Sequence, residues 1–175
     1  NNSNTVYSSS MEHLLDAAAA VLEIGHCNSY DGECAFCLGQ EANYGISALL
    51  DYPELEWLDS LRVSVKQEDN DWVIDSVFMI AELYRLKKRL QRLEVKSWKQ
   101  ILAYIFLYSL VLGMEEAAEK ICKTYNIRQI VLSGECFQNQ LLLENLSQSM
   151  VLFDYNIYTN EKVPCGDGGI ALGQM

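Results

Sequence analysis

The sequence predicts a helix-rich α/β domain, and three stretches carry that expectation. The first is Arg128-Gln-Ile-Val-Leu-Ser-Gly-Glu-Cys-Phe-Gln-Asn-Gln140. Its run Ile130, Val131, Leu132 predicts a buried strand, which breaks at Ser133-Gly134 and gives way to a helix from about Asn139. Such a junction aims backbone N–H groups at an anion, and it is equally the shape of any strand-to-helix connection. The second stretch, about 97–123, is apolar on most sides across 101–112, which predicts a central buried helix. The third opens with Ser9 and Glu12 at capping-box spacing. Met11, Leu14, Leu15, Ala18, Val21 and Leu22 then share one helical face, and Gly25 is the expected stop.

The remaining elements follow in order. Residues 1–7 are polar and expected to be extended. Asp16 lies beside the apolar stripe of the first helix, either as a solvated acid or as a polar group facing a cleft. Residues 26–31 form a turn, and a second helix covers 33–43 ahead of Gly45. Leu61-Arg-Val-Ser-Val65 alternates as a half-buried strand does. Asn70-Asp71 is the expected start of a helix running through Ile74, Val77, Phe78, Ile80 and Leu83 to Leu93. Gly113 is expected to loosen the middle of the long helix. After the strand at 128–132 come a helix over 141–146 and a strand around 151–158. The chain finishes with Val163-Pro-Cys-Gly-Asp-Gly-Gly-Ile-Ala-Leu-Gly-Gln174. There Gly166, Gly168 and Gly169 surround Asp167 and let backbone approach a ligand closely; the plainer alternative is an Asp N-cap for a helix resuming at Ile170.

A length of 175 residues suits one domain or half of a two-lobed one, and 50% hydrophobic content supports a sizeable core. The formal charge of -11 argues against a nucleic-acid groove, which needs clustered Lys and Arg. The basic cluster from Arg85 to Arg92 alternates with Leu86 and Leu90 and is expected to be the wet face of a helix. Of six cysteines, Cys34 and Cys37 have CxxC spacing, but no second CxxC or His pair completes a zinc set around His13 and His26. Buried reduced thiols are the expectation. The longest apolar run, 101–114, is shorter than the roughly 20 residues that span a bilayer. With no signal peptide visible, the expectation is a soluble cytoplasmic protein without a membrane partner, cut from something longer.

Several segments together resemble a known family, the C-terminal domain of the HypF hydrogenase maturation carbamoyltransferases. Ser9-Ser-Met-Glu-His-Leu-Leu-Asp-Ala-Ala-Ala-Ala-Val-Leu22 resembles the family segment SSMGRLFDAVAALL. Ser29-Tyr-Asp-Gly-Glu-Cys-Ala35 is similar to SYEGQAA, Val131 to Glu144 to VLSGGVFQNRLLLE, and Val163 to Gln174 to VPPNDGGIALGQ. Order and separations agree from near Tyr7 to the end, and the last two segments make the likeness specific. Weaker likeness extends to the tRNA threonylcarbamoyladenosine enzymes.

The resemblance implies an actin/sugar-kinase-like (ribonuclease H-like) fold whose two lobes clamp a nucleotide, with residues 1–175 as a single domain, mostly the second lobe. It implies ATP and a divalent metal ion as cofactors. Carbamoyl phosphate and ATP would give carbamoyl-adenylate, and a HypE-like acceptor protein would receive the carbamoyl group during NiFe hydrogenase maturation. Asp16 and the turn Tyr30, Asp31, Gly32, Glu33 would then lie at ribose and base, Gly134 and Asn139 along the nucleotide, and Asp167 at the metal. The departures are equally specific. Glu135 stands at the second glycine of SGG, Gln140 at the Arg after FQN, Glu12-His13 at Gly-Arg, and Gly166 at the Asn before Asp-Gly-Gly. A carboxylate at position 135 adds bulk and like charge against phosphate. Three functions are therefore expected: part of a carbamoyltransferase, inactive without its first lobe; a diverged non-catalytic nucleotide-binding or protein-interaction module; or a related carbamoyltransferase acting on a small molecule. The absent lobe also makes an exposed apolar patch and self-association an expectation.

Overall fold

The computed structural model describes residues 8–174; the expectation for residues 1–7 lies outside them. Helices dominate: α1 (Met11–Val21), α2 (Glu33–Ala42), α3 (Gly45–Leu50), α4 (Ser76–Arg92), α5 (Trp98–Tyr125), α6 (Gln140–Leu152) and α7 (Ile170–Gly173). A hairpin of β1 (Val65–Glu68) and β2 (Asp71–Ile74) precedes α4. The strands β3 (Gln129–Leu132) and β4 (Asn156–Thr159) pair in parallel, joined through α6. This is a βαβ unit, the arrangement that parallel strands require.

Helix α5 is the axle, with α1, α2, α3, α4 and α6 all packed on it. It is long enough and apolar enough to cross a membrane. Its side chains instead form the core: Ile101, Leu102, Ile105, Phe106, Leu107 and Leu110 are fully buried. Gly113 does not loosen this helix. It is a packing position, where a Cβ would come within 2.7 Å of Val63 Cγ1. Buried Ser109 ties α5 to the segment before the hairpin: its Oγ donates to the Ile105 carbonyl at 2.6 Å and accepts the Leu61 N–H at 2.7 Å.

That bond explains why the expected strand at 61–65 is displaced to Val65–Glu68, since the Leu61 amide is held by a side chain rather than a neighbouring strand. The expected helix start at Asn70-Asp71 is corrected likewise. Asp69 takes a left-handed conformation (φ 52°), the chain reverses, and α4 begins only after Asp75. Asp75 Oδ1 accepts the Phe78 N–H at 2.9 Å and Oδ2 pairs with Lys66 at 2.6 Å. These partners, led by Lys66, hold its carboxyl below the usual range.

Several helix ends differ from expectation, although α4 stops where expected, at Leu93. The capping box at Ser9 and Glu12 does not form: Ser10 is the N-cap, without a side-chain cap bond. Gly25 is not the stop, because Glu23 takes the left-handed position (φ 58°) and Ile24 N–H returns to the Ala19 carbonyl. The same closure with a non-glycine residue ends α4 at Glu94 and α6 at Asp154. Helix α6 thereby runs past the expected 146 to Leu152, and β4 starts only at Asn156.

Two burial expectations also change. The 130–132 strand is buried on one side only, with Leu132 inside and Val131 70% exposed. Lys87, in the basic cluster of α4, is not on a wet face but buried, donating to the Val21 carbonyl at 2.7 Å and pairing with Glu23 at 2.5 Å. All six cysteines are free; Cys34 and Cys122 are buried, whereas Cys27 is exposed.

Candidate functional site

Three loops meet where α1 begins, α2 begins and α6 begins. They enclose an open cleft of about 620 Å³, lined by Tyr30, Gly32, Gly39, Glu135 and Asn139 among others. Asn139 is the N-cap of α6, with Oδ1 accepting the Leu142 N–H at 3.3 Å. Its amide lies against Gly39 of α2, where a Cβ would approach Nδ2 to 2.7 Å. Gly39 therefore sets how closely α2 and α6 approach. It was not among the expected site residues, although glycine inside a helical pattern is the signal of a close approach. Gly32 is the left-handed N-cap of α2 (φ 76°), and Tyr30 stands 56% exposed beside it.

Of the expected site residues, the cleft brings together Tyr30, Asp31, Gly32 and Asn139. Asp16 and Glu33 sit behind it and hold the loop. Glu33 Oε2 accepts from the Ser29 N–H at 2.6 Å and from Ser29 Oγ at 2.7 Å. Those bonds hold the Glu33 carboxyl below its usual range. Asp16 Oδ2 accepts from Asn28 Nδ2 at 3.0 Å, while Asn28 Oδ1 accepts the Cys34 N–H at 2.8 Å. Asp16 Oδ1 is buried without a protein partner. Gly134 stands behind the cleft wall at φ 106°, ψ 158°, a conformation suited to glycine, and its N–H donates to the Cys165 carbonyl at 2.9 Å.

Asp167 is exposed in the turn Asp167–Gly169. Among the described residues, it belongs to no group of three or more His, Cys, Asp or Glu side chains placed to hold an ion. Such a group lies elsewhere among the described residues. Carboxylate oxygens of Glu12, Asp31 and Glu135 all lie within 4.8 Å of one another at the cleft. Burial and the neighbouring Asp31 raise the Glu12 pKa, with Asp16 and Glu135 adding to the effect. Fitted with a nucleotide, the cleft offers an aromatic ring, a glycine edge and an amide to a base and ribose. Its acidic rim sets like charge against a triphosphate.

The profile of the family described as carbamoyltransferase, Kae1-like domain, second subdomain, matches residues 1–174. The chain belongs to that family. Relatives of this Kae1-like subdomain include the probable carbamoyltransferase HypF of Methanocaldococcus jannaschii, 26% identical over 171 residues, covering 98% of this chain and 20% of that protein. Carbamoyltransferase HypF2 of Cupriavidus necator is 27% identical over 181 residues, covering 98% of this chain and 22% of its own. The chain thus spans about a fifth of the length of these relatives. Among solved structures, full-length HypF in its phosphate- and nucleotide-bound form superposes with a TM-score of 0.79 at 30% identity, over 98% of this chain and 20% of that one. HypF of T. kodakarensis, at 24% identity and a TM-score of 0.70, shares the fold over 98% of this chain and 20% of its own.

Proposed function

We propose that this subdomain forms one wall of a carbamoyltransferase site. In this reading it is the second lobe of an actin/sugar-kinase-like pair, a cytoplasmic protein using ATP and carbamoyl phosphate by way of carbamoyl-adenylate. A HypE-like protein would accept the carbamoyl group in NiFe hydrogenase maturation. The observation that carries the reading is the meeting of Tyr30, Gly32 and Asn139, from segments more than 100 residues apart, in one cleft on a chain of this family. Tyr30 and Gly32 would take base and ribose, and Asn139 would direct its amide along the nucleotide. Asp16 and Glu33 would keep the Tyr30 turn in shape, and Gly134 would fix the loop behind it. ATP would supply the activating adenylyl group, with Asp167 as a single-ligand contribution to its divalent ion. The other ligands would come from the first lobe.

The acidic rim favours a second reading, a non-catalytic nucleotide-binding or protein-interaction module. The test is a titration of MgATP into the isotopically labelled chain, alone and joined to a first lobe. In the first reading the chain alone binds weakly or not at all, and the joined protein shows amide shifts at Gly32 and Asn139. Silence at both amides in the joined protein sinks the nucleotide assignment.

A further inference from the structure

Gly166 has an ordinary extended backbone, φ −100° and ψ −158°, which any residue adopts. Conformation therefore does not require glycine there; the space beside it is instead taken by neighbouring side chains. A Cβ at position 166 would stand 2.6 Å from Glu135 Cγ and 2.7 Å from its Oε1, with Gln138 Nε2 at 2.9 Å. The side chain of Glu135 occupies the space that a side chain at 166 would fill. One residue back, Gly134 N–H bonds to the Cys165 carbonyl, so the two loops are held together while Glu135 crosses between them. These are also two of the positions where the sequence departs from its family pattern, one gaining a side chain and the other losing it.

We propose that Glu135 and Gly166 form a coupled exchange, and that Glu135 is thereby the residue by which this cleft discriminates against phosphate. The inference rests on the nucleotide-facing reading of the cleft only for its second half. Crossing the gap left by Gly166 brings the Glu135 carboxylate to Glu12 and Asp31, where the three acids converge. Any polyphosphate entering between Asn139 and Gly32 meets this third negative charge, which comes from the glycine-turn loop itself.

The test is a double-mutant cycle on the whole chain with two readouts. In chemical denaturation, Gly166→Ala lowers the unfolding midpoint of the parent, because Glu135 must be pushed aside. In a Glu135→Ala background the same change costs less, because only the flexible end of Gln138, 2.9 Å from the new Cβ, still has to move, and alanine restricts the unfolded chain more than glycine does. An equal effect of Gly166→Ala in both backgrounds overturns the exchange. In MgATP titrations of the protein joined to a first lobe, Glu135→Ala and Glu135→Gln both bind about tenfold tighter than the parent, the scale of removing one like charge near a phosphate at a protein surface. Unchanged affinity in both variants overturns the discrimination. Tighter binding that perturbs amides remote from Gly32 and Asn139 overturns the nucleotide-site reading and leaves the exchange standing.

Discussion

Replacing Gly45 by alanine will unfold this protein more readily than most single-methyl additions. Gly45 is buried at the first position of α3, against α5. A Cβ there would sit 2.6 Å from the Gln100 carbonyl oxygen and closer still to Tyr104 Cβ. Non-bonded carbon contacts prefer about 3.5–4.0 Å, so α3 has to retreat by about 1 Å. A gap of about that size forfeits a quarter to a half of each contact's attraction along the seam. The offending atoms belong to backbone and a Cβ, which cannot rotate away, so the cost falls at about 3 kcal/mol, the upper part of the overpacking range. Alanine's better helix propensity returns less than about 1 kcal/mol. Urea unfolding followed by circular dichroism reads this directly, with the slope compared to confirm an unchanged unfolded state. A loss under about 1 kcal/mol would refute the packing argument. Gly134→Ala is the contrast: no atom lies within 4 Å of its Cβ, and its cost of about 1–3 kcal/mol is purely backbone strain.

Other substitutions separate stability from the site. Gly39→Ala gains about 1 kcal/mol of helix propensity and loses about 1 kcal/mol if Asn139 gives up its cap, so the unfolding midpoint stays nearly constant. Side-chain amide signals of Asn139 should nevertheless move, and unmoved signals would contradict the close approach. Ser109→Ala leaves the buried Leu61 N–H without a partner and costs about 2 kcal/mol by urea titration. Glu12 holds its proton more tightly folded than unfolded, so it lowers stability above its folded pKa, and the penalty is relieved as pH falls toward the unfolded value of 4.5. Glu12→Gln should raise the melting temperature at pH 7 and give no gain below pH 4, a comparison that differential scanning fluorimetry makes directly.

Long periodic helices were legible in the sequence because their burial pattern repeats often enough to outweigh local exceptions. Helices α1, α2 and α5 lie within a few residues of their expected places. The hairpin was not legible: Ile74 and Val77 extend the apolar period of α4 backwards, and Asp69-Asn70 lacks the glycine that marks a tight reversal. The stops of α1 and α6 were misplaced because Glu23 and Asp154, rather than glycine, take the left-handed position, a choice visible only in the backbone. At the site, motif likeness located the loops, but the convergence of Glu12, Asp31 and Glu135 joins three segments that no local spacing connects.

Both walls of the cleft, α2 and α6, lean on α5. The girth of that one helix therefore gauges the opening. A larger or smaller side chain facing either wall would widen or pinch the cleft from behind, without touching a residue that lines it. Variation in the interior of α5 is thus a route by which ligand preference could drift while every loop motif stays unchanged.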